Sequence, residues 1–279
     1  MKKICVCLFL SMICGVFFLQ ASDLGVAHEK LMKIRYMPEK PTLKVLLTKD
    51  REAIHVEVQG AHNIYDPLTG TKLDSAFVGS SYYMYPTTDG VRWGQEFPGT
   101  YQILIVPDEP ASNGVTVNGT TYGGVVAFYQ IRDKLAAVNW VSLEEFTTCM
   151  LSGIFLPQEG DQREALASYA VLIRSKAYER MIFPANKFWD LHGEVCGYKG
   201  RSALRLDEPF VQALLGSKRV VMTPDEESEG PTKQAQADML ETMPFDQVLL
   251  FAQDGRSARH IIQHFYPKAE FQLISPQGA

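Results

Sequence analysis

The sequence predicts an α+β fold: a β-rich N-terminal half, then a helical half, with a cleft between them. Two observations carry this. Between Thr42 and Val141, short runs of β-branched and aromatic residues recur, separated by clusters of Gly, Pro, Asn and Asp. From Ser142 onward, apolar residues fall at helical spacing behind N-terminal capping signals. No internal repeat or low-complexity tract subdivides the chain. The reading is residues 1–21 as a leader, 22–141 as the β-rich half, and 142–279 as the helical half of the same domain.

The leader has the form of a signal peptide. Lys2 and Lys3 precede the nearly all-apolar stretch Ile4–Phe18, and Leu19 and Ala21 offer a small-residue cleavage site after Ala21. The apolar run is shorter than the roughly 20 residues needed to span a bilayer, which disfavours a retained anchor. Ile13 is too large for a lipidation box at Cys14. The mature chain is therefore expected in the periplasm, with no membrane span. Losing the two lysines takes the net charge from −5 to −7. An acidic chain without a basic block excludes nucleic acid as a partner. Cys5, Cys7 and Cys14 leave with the leader, and Cys149 and Cys196 remain. A bridge would suit an exported protein, but two cysteines so far apart in sequence do not decide between a disulfide and two thiols.

Taken in order, the strand candidates are TLKVLLT (42–48), IHVEV (54–58), SYYMY (81–85), YQILIV (101–106) and GVVAFYQI (124–131). Turn clusters lie at Asp66-Pro67 with Gly70, Asp89-Gly90, Asp108 to Pro110, and Asn118-Gly119. The last is a specific hairpin signal, because both central residues of a type I′ turn need positive φ. LAAVNWV (135–141) is a final strand feeding the first helix.

That helix opens at Ser142, whose hydroxyl and the Glu145 carboxylate form a capping box, with Val141 and Phe146 at hydrophobic-staple spacing. Pro157 and Gly160 interrupt it. Asp161 and Glu164 open a second helix, whose core face is Leu166, Tyr169, Ala170, Ile173 and Ala177. Asp207-Glu208-Pro209 caps a third, with Phe210, Val211, Leu214 and Leu215 as its face and Gly216 as its end. Asp225–Lys233 is the best loop or linker. His260 and His264 are four apart, but no glutamate follows the first histidine. They flank a packed face of Ile261, Ile262 and Phe265.

The wording of the two-helix stretch adds a resemblance. Leu143-Glu144-Glu145, followed by Glu164-Ala165-Leu166, Ala170-Val171 and Arg174, resembles the signature of the stage II sporulation protein D family, the amidase-enhancer or LytB-type domains. Other motifs follow the family's order. They are Lys44-Val45-Leu46-Leu47, Asn118-Gly119-Thr120-Thr121-Tyr122-Gly123-Gly124, and Val138-Asn139-Trp140-Val141. Farther on, Cys196-Gly197-Tyr198-Lys199-Gly200 resembles a Gln-x-Tyr-x-Gly element, and Gly255–Pro267 resembles the closing segment. The family's Gly-His-Gly-x-Gly-x-Ser-Gln run is not recognisable. The resemblance covers about residues 42 to 275.

The resemblance implies lytic transglycosylase chemistry on peptidoglycan glycan strands, often stripped of stem peptides. One carboxyl group serves as acid and then base. The family's acid, the Glu of a Glu-Met-Pro segment, falls on Ile154, which cannot transfer a proton. Losing a general acid costs roughly 10²–10⁴-fold. Glu159, in an interhelical loop about two residues longer than the family's, is the substitute acid or a solvated loop residue. Arg174 is either a sugar-binding fork or the ion-pair partner of a helix acid such as Glu145. Tyr198 and Lys199 are either part of a sugar-binding wall or surface loop residues. His192 and Cys196 sit where some family members bind zinc, but structural zinc wants four ligands and no others are near in sequence, so neither metal nor cofactor is expected. The expected function is therefore binding of peptidoglycan glycan strands during cell-wall remodelling or division. Glycan is either cleaved with Glu159, or held without cleavage by a scaffold or module that recruits a cell-wall amidase.

Overall fold

The computed structural model describes residues 37–109, 113–154, 162–184, 186–204, 207–223 and 243–275. The leader, Glu159, Asp161 and the Asp225–Lys233 linker lie outside the described residues.

Among the described residues, the β-rich half contains twelve strands. They are β1 (Thr42–Arg51), β2 (Ile54–Val58), β3 (His62–Tyr65), β4 (Lys72–Ala76), β5 (Ser80–Thr87), β6 (Gly90–Trp93), β7 (Gln95–Pro98), β8 (Gln102–Pro107), β9 (Val115–Val117), β10 (Thr120–Tyr122), β11 (Val125–Ile131) and β12 (Lys134–Ser142). All six apolar runs of the sequence are strands. The turn at Asn118-Gly119 joins β9 to β10 with φ of 49° and 84°, the two positive values that a type I′ turn requires. Asn118 also accepts a hydrogen bond from the His55 amide (3.1 Å) through Oδ1, which ties the hairpin to β2.

The helical half begins with α1 (Leu143–Ile154) and α2 (Arg163–Ile182). It continues through β13 (Leu191–His192), α3 (Gly193–Cys196), a 3₁₀ turn (Gly200–Ala203), α4 (Glu208–Gly216), β14 (Val220–Met222), α5 (Phe245–Gln253), α6 (Ala258–Phe265) and β15 (Phe271–Leu273). This half also supplies strands. β13 returns to the large sheet and lies parallel to β1, with Val45 opposite Leu191.

The strands form a seven-stranded sheet (order β13-β1-β12-β11-β8-β3-β4), a six-stranded sheet (β10-β9-β2-β5-β6-β7) and the pair β14-β15. Alternation along the strands puts Leu43, Val45, Ile105, Val126 and Phe128 of the large sheet in one apolar cluster. The same cluster contains Ile54, Val56, Met84 and Trp93 of the smaller sheet and Phe146, Leu166 and Ile173 of the helices. One core thus runs through both halves. The other face of the large sheet is buried as well, with Leu104, Val106, Ala127 and Val138 packed in a second cluster with Trp189 and Phe188.

Helix α2 is the hub. Its predicted face is buried, but so are Ala165, Ser168, Leu172, Arg174 and Ser175, because α1, α4, α5, α6 and β14 surround it. Its start departs from the sequence reading: Gln162 occupies the N-cap and makes no side-chain cap bond. Glu164 instead accepts from the Ala258 amide (2.6 Å), so this acid caps α6 rather than its own helix. Asp207 caps α4 as expected, accepting from the Phe210 amide (3.2 Å). The buried face of α4, however, is Phe210 and Ala213, and Leu215 is 59% exposed. On α6, Ile261 and Ile262 are buried, and the His264 ring packs edge-on against Phe251 and Phe265. Among the described residues no helix is long and apolar enough to cross a membrane.

Candidate functional site

Several of the motif residues, Gly123, Asn139, Glu144, Glu145, Arg174 and Tyr198, meet around β12, α1 and α2. Ser142 caps α1, its Oγ accepting from the Glu145 amide (3.2 Å). Only this half of the capping box forms. The Glu145 carboxylate turns away and accepts from Nε of Arg201 (2.8 Å), on the 3₁₀ turn. A side chain at Gly123 could not coexist with this pair, since a Cβ there would lie 1.7 Å from Glu145 Oε1. Gly123, which directly follows Tyr122 of the hairpin, is thus explained by close approach.

Glu144 is the other anchor. Its Oε2 accepts from Nη2 of Arg174 (2.9 Å) and its Oε1 from Nε (3.0 Å). The Arg219 amide also donates to Oε1 (3.0 Å). Arg174 is fully buried, and its Nη1 donates to the carbonyls of Ser217 (2.9 Å) and Val220 (3.1 Å). The planar fork thus ties α1, α2 and the α4–β14 connection together. Of the two readings of Arg174, the ion pair with a helix acid is the one that forms, and its partner is Glu144, beside the Glu145 named in the sequence reading. The sugar-binding reading is corrected, because the Arg174 side chain has no exposed surface.

Tyr198 is also a frame residue rather than a wall for sugar. It is 5% exposed, and its hydroxyl donates to Asn139 Oδ1 (2.9 Å). Asn139, fully buried on β12, donates onward to the carbonyls of Gly123 (2.7 Å) and Val125 (3.0 Å). Burial holds the Tyr198 phenol well above the usual range. Lys199 is exposed at the start of the 3₁₀ turn. Ile154 is the last residue of α1, so the position matched to the family's acid lies at the end of the framed helix.

Cys149 and Cys196 are buried free thiols. Burial pushes them up to about 12 and about 11, where a thiol is unreactive at neutral pH. His192 Nε2 accepts from Trp189 Nε1 (3.2 Å). Among the described residues no three His, Cys, Asp or Glu side chains gather as a metal site.

At the boundary of the two halves a polar recess of about 230 Å³ opens between β1 and the β9–β10 hairpin, lined by Thr48, Arg51, Asn118, Thr120 and Glu194. Larger apolar recesses lie within the helical half, one of about 550 Å³ beside Leu172, Ile182, Met222 and Phe265. Sequence reasoning identified none of these, because their linings come from distant segments.

Asp190, beside β13, carries a titration prediction. It accepts from the Lys44 amide (2.8 Å), yet burial pushes its carboxyl from 3.8 up to about 6. At low pH both folded and unfolded chains hold the proton, and the group costs nothing. As pH rises from about 4 to about 6 the unfolded chain releases its proton first, so stability falls and stays lower above that window. Asp190→Asn keeps an acceptor for Lys44. It should leave stability near pH 3.5 unchanged and raise it on the order of 1–3 kcal/mol at pH 7. Urea midpoints at the two pH values check this, and an equal change at both would contradict it.

Sequence comparison places this chain beside two proteins of Chlamydia. An uncharacterized protein of Chlamydia muridarum is 26% identical over 275 residues, covering 98% of this chain and 91% of the relative. An uncharacterized protein of Chlamydia pneumoniae is 28% identical over 279 residues, covering 98% and 94%. No family model matches the sequence, and no solved structure matches it.

Proposed function

We propose that this is an exported, periplasmic protein that binds peptidoglycan glycan strands and holds them rather than cutting them. The observation that supports this is the fate of the motif residues. Gly123, Asn139 and Tyr198 form one hydrogen-bonded group, Glu144 with Arg174 a second, and Glu145 with Arg201 a third, with Gly123 closely approached by Glu145. Both glutamates of α1 are paired with arginines, so neither is poised as a proton donor. The helix that bears the family's acid is retained, while isoleucine stands at the acid's position. A scaffold that keeps its frame and loses its acid suits binding, or recruitment of a cell-wall amidase to the strand.

Incubating the chain from residue 22 with purified peptidoglycan, then separating pellet from supernatant, tests the reading. Co-sedimentation without anhydro-muropeptides in the supernatant is expected. Ile154→Glu should then release such products if the rest of the site is preserved. If the natural chain releases them and Glu159→Gln stops it, the lytic reading with Glu159 as acid replaces this one. If the chain stays in the supernatant, glycan binding is wrong.

A further inference from the structure

The outward face of the six-stranded sheet bears a continuous aromatic surface that the frame does not use. Strand alternation turns Met84 inward and sets Tyr83 and Tyr85 outward on β5, at 56% and 36% exposure. Cross-strand register places His55 of β2 opposite Tyr83 and Arg92 of β6 opposite Tyr85. The Tyr83 and Tyr85 ring centres are 6.2 Å apart, His55 lies 5.0 Å from Tyr83, and the Arg92 guanidinium lies 5.0 Å above Tyr85. Around these rings the face is polar. The Ser81 hydroxyl contacts His55 Nε2 (3.3 Å), and Glu57 lies opposite Ser81 in the register.

We propose that this face is a glycan-strand platform, with Tyr83 and Tyr85 stacking on successive sugar rings and Arg92 taking a sugar carboxylate. The proposal rests on the glycan-binding reading above and assigns it to a surface remote in sequence from the α1–α2 motifs. Three features favour a saccharide. Aromatic rings spaced about one sugar residue apart offer flat apolar surfaces that suit the C–H faces of pyranoses. Hydroxyl, imidazole and carboxylate groups beside them supply the hydrogen bonds that a dry protein interface would leave unpaired. The exposed guanidinium complements a strand that carries acid groups. In peptidoglycan the lactyl group of muramic acid is a free carboxylate wherever the stem peptide has been removed. Arg92 therefore predicts a preference for stripped over peptide-bearing or uncharged glycan.

Titration calorimetry of the chain from residue 22 against a chitin hexasaccharide and against amidase-stripped peptidoglycan strands tests the platform. The variants are Tyr83→Ala with Tyr85→Ala, the corresponding double phenylalanine form, and Arg92→Gln. The double alanine variant should bind both ligands at least ~10-fold more weakly. The double phenylalanine form should keep its affinity for the uncharged ligand. Arg92→Gln should weaken only the carboxylate-bearing ligand, about tenfold, and reduce its salt dependence. Thermal melting of each variant controls for folding, and if the double alanine form melts early the Arg92 comparison decides. If the natural chain binds glycan and these variants bind unchanged, the platform is wrong while the glycan reading stands. If the natural chain binds neither ligand, both fall. A dimer in sedimentation that Tyr83→Ala dissociates would assign the face to a second copy instead.

Discussion

Glu144→Ala should destabilise the protein by about 3–5 kcal/mol, because it strands a buried guanidinium. Arg174 has no access to solvent, whereas the Glu144 side chain is 28% exposed. Removing the acid therefore costs more than removing the base, since a lone Glu144 can recover water and a lone Arg174 cannot. The backbone carbonyls of Ser217 and Val220 still accept from Arg174, but they do not neutralise it. The double variant Glu144→Met with Arg174→Met should recover part of the loss, as apolar replacement of a buried pair often does. A double-mutant cycle by urea denaturation measures the coupling. Additive losses would mean that the pair is not one unit. The same cycle speaks to function: a sugar-binding Arg174 would lose glycan on mutation while stability held, and the frame predicts the reverse.

The second large effect concerns the hub helix. Ile173→Ala and Leu166→Ala should each cost about 2–5 kcal/mol. Ile173 is fully buried and Leu166 is 3% exposed, and close packing on all sides of α2 leaves little room for collapse around a cavity. Leu215→Ala is the contrasting control. Periodicity put Leu215 on the core face of α4, yet it is 59% exposed, so the loss should stay within about 0.5 kcal/mol. Urea midpoints at constant m-value test all three. Equal losses at Leu166, Ile173 and Leu215 would contradict the packing described.

The strands were legible where apolar residues ran long enough to show a period. IHVEV is β2 without adjustment. HNIY and KLDSA escaped notice, because β3 and β4 lie at the end of the large sheet and carry polar residues at most positions. The Asn118-Gly119 turn was legible because its chemistry is local. The charged residues were not. Glu144 and Glu145 differ by one position, and only the tertiary placement of Arg174 and Arg201 decides which arginine meets which acid. Tyr198 reads as a loop residue because its partner, Asn139, is 59 residues away. Glu164 looked like a cap for its own helix, and its actual target, the start of α6, is 94 residues on. The aromatic face of β5 was legible as a strand, but its partners on β2 and β6 depend on register.

The place of β1 in the large sheet has a consequence for the nascent chain. Thr42 pairs with Ser142 and Val45 with Leu191, so β1, which precedes the other described strands, is held between two of the later ones. Neither of its edges can be covered until about 100 residues have followed the first pairing position, and the second edge waits for almost 150. Such long loop closures slow folding relative to chains rich in local contacts. In the interval, the Thr42–Arg51 segment, apolar at Leu43, Val45, Leu46 and Leu47, lacks both of its sheet partners, and an unpaired segment of this kind can pair with other chains. The large sheet is therefore completed late, when β12 and then β13 close over the two edges of β1.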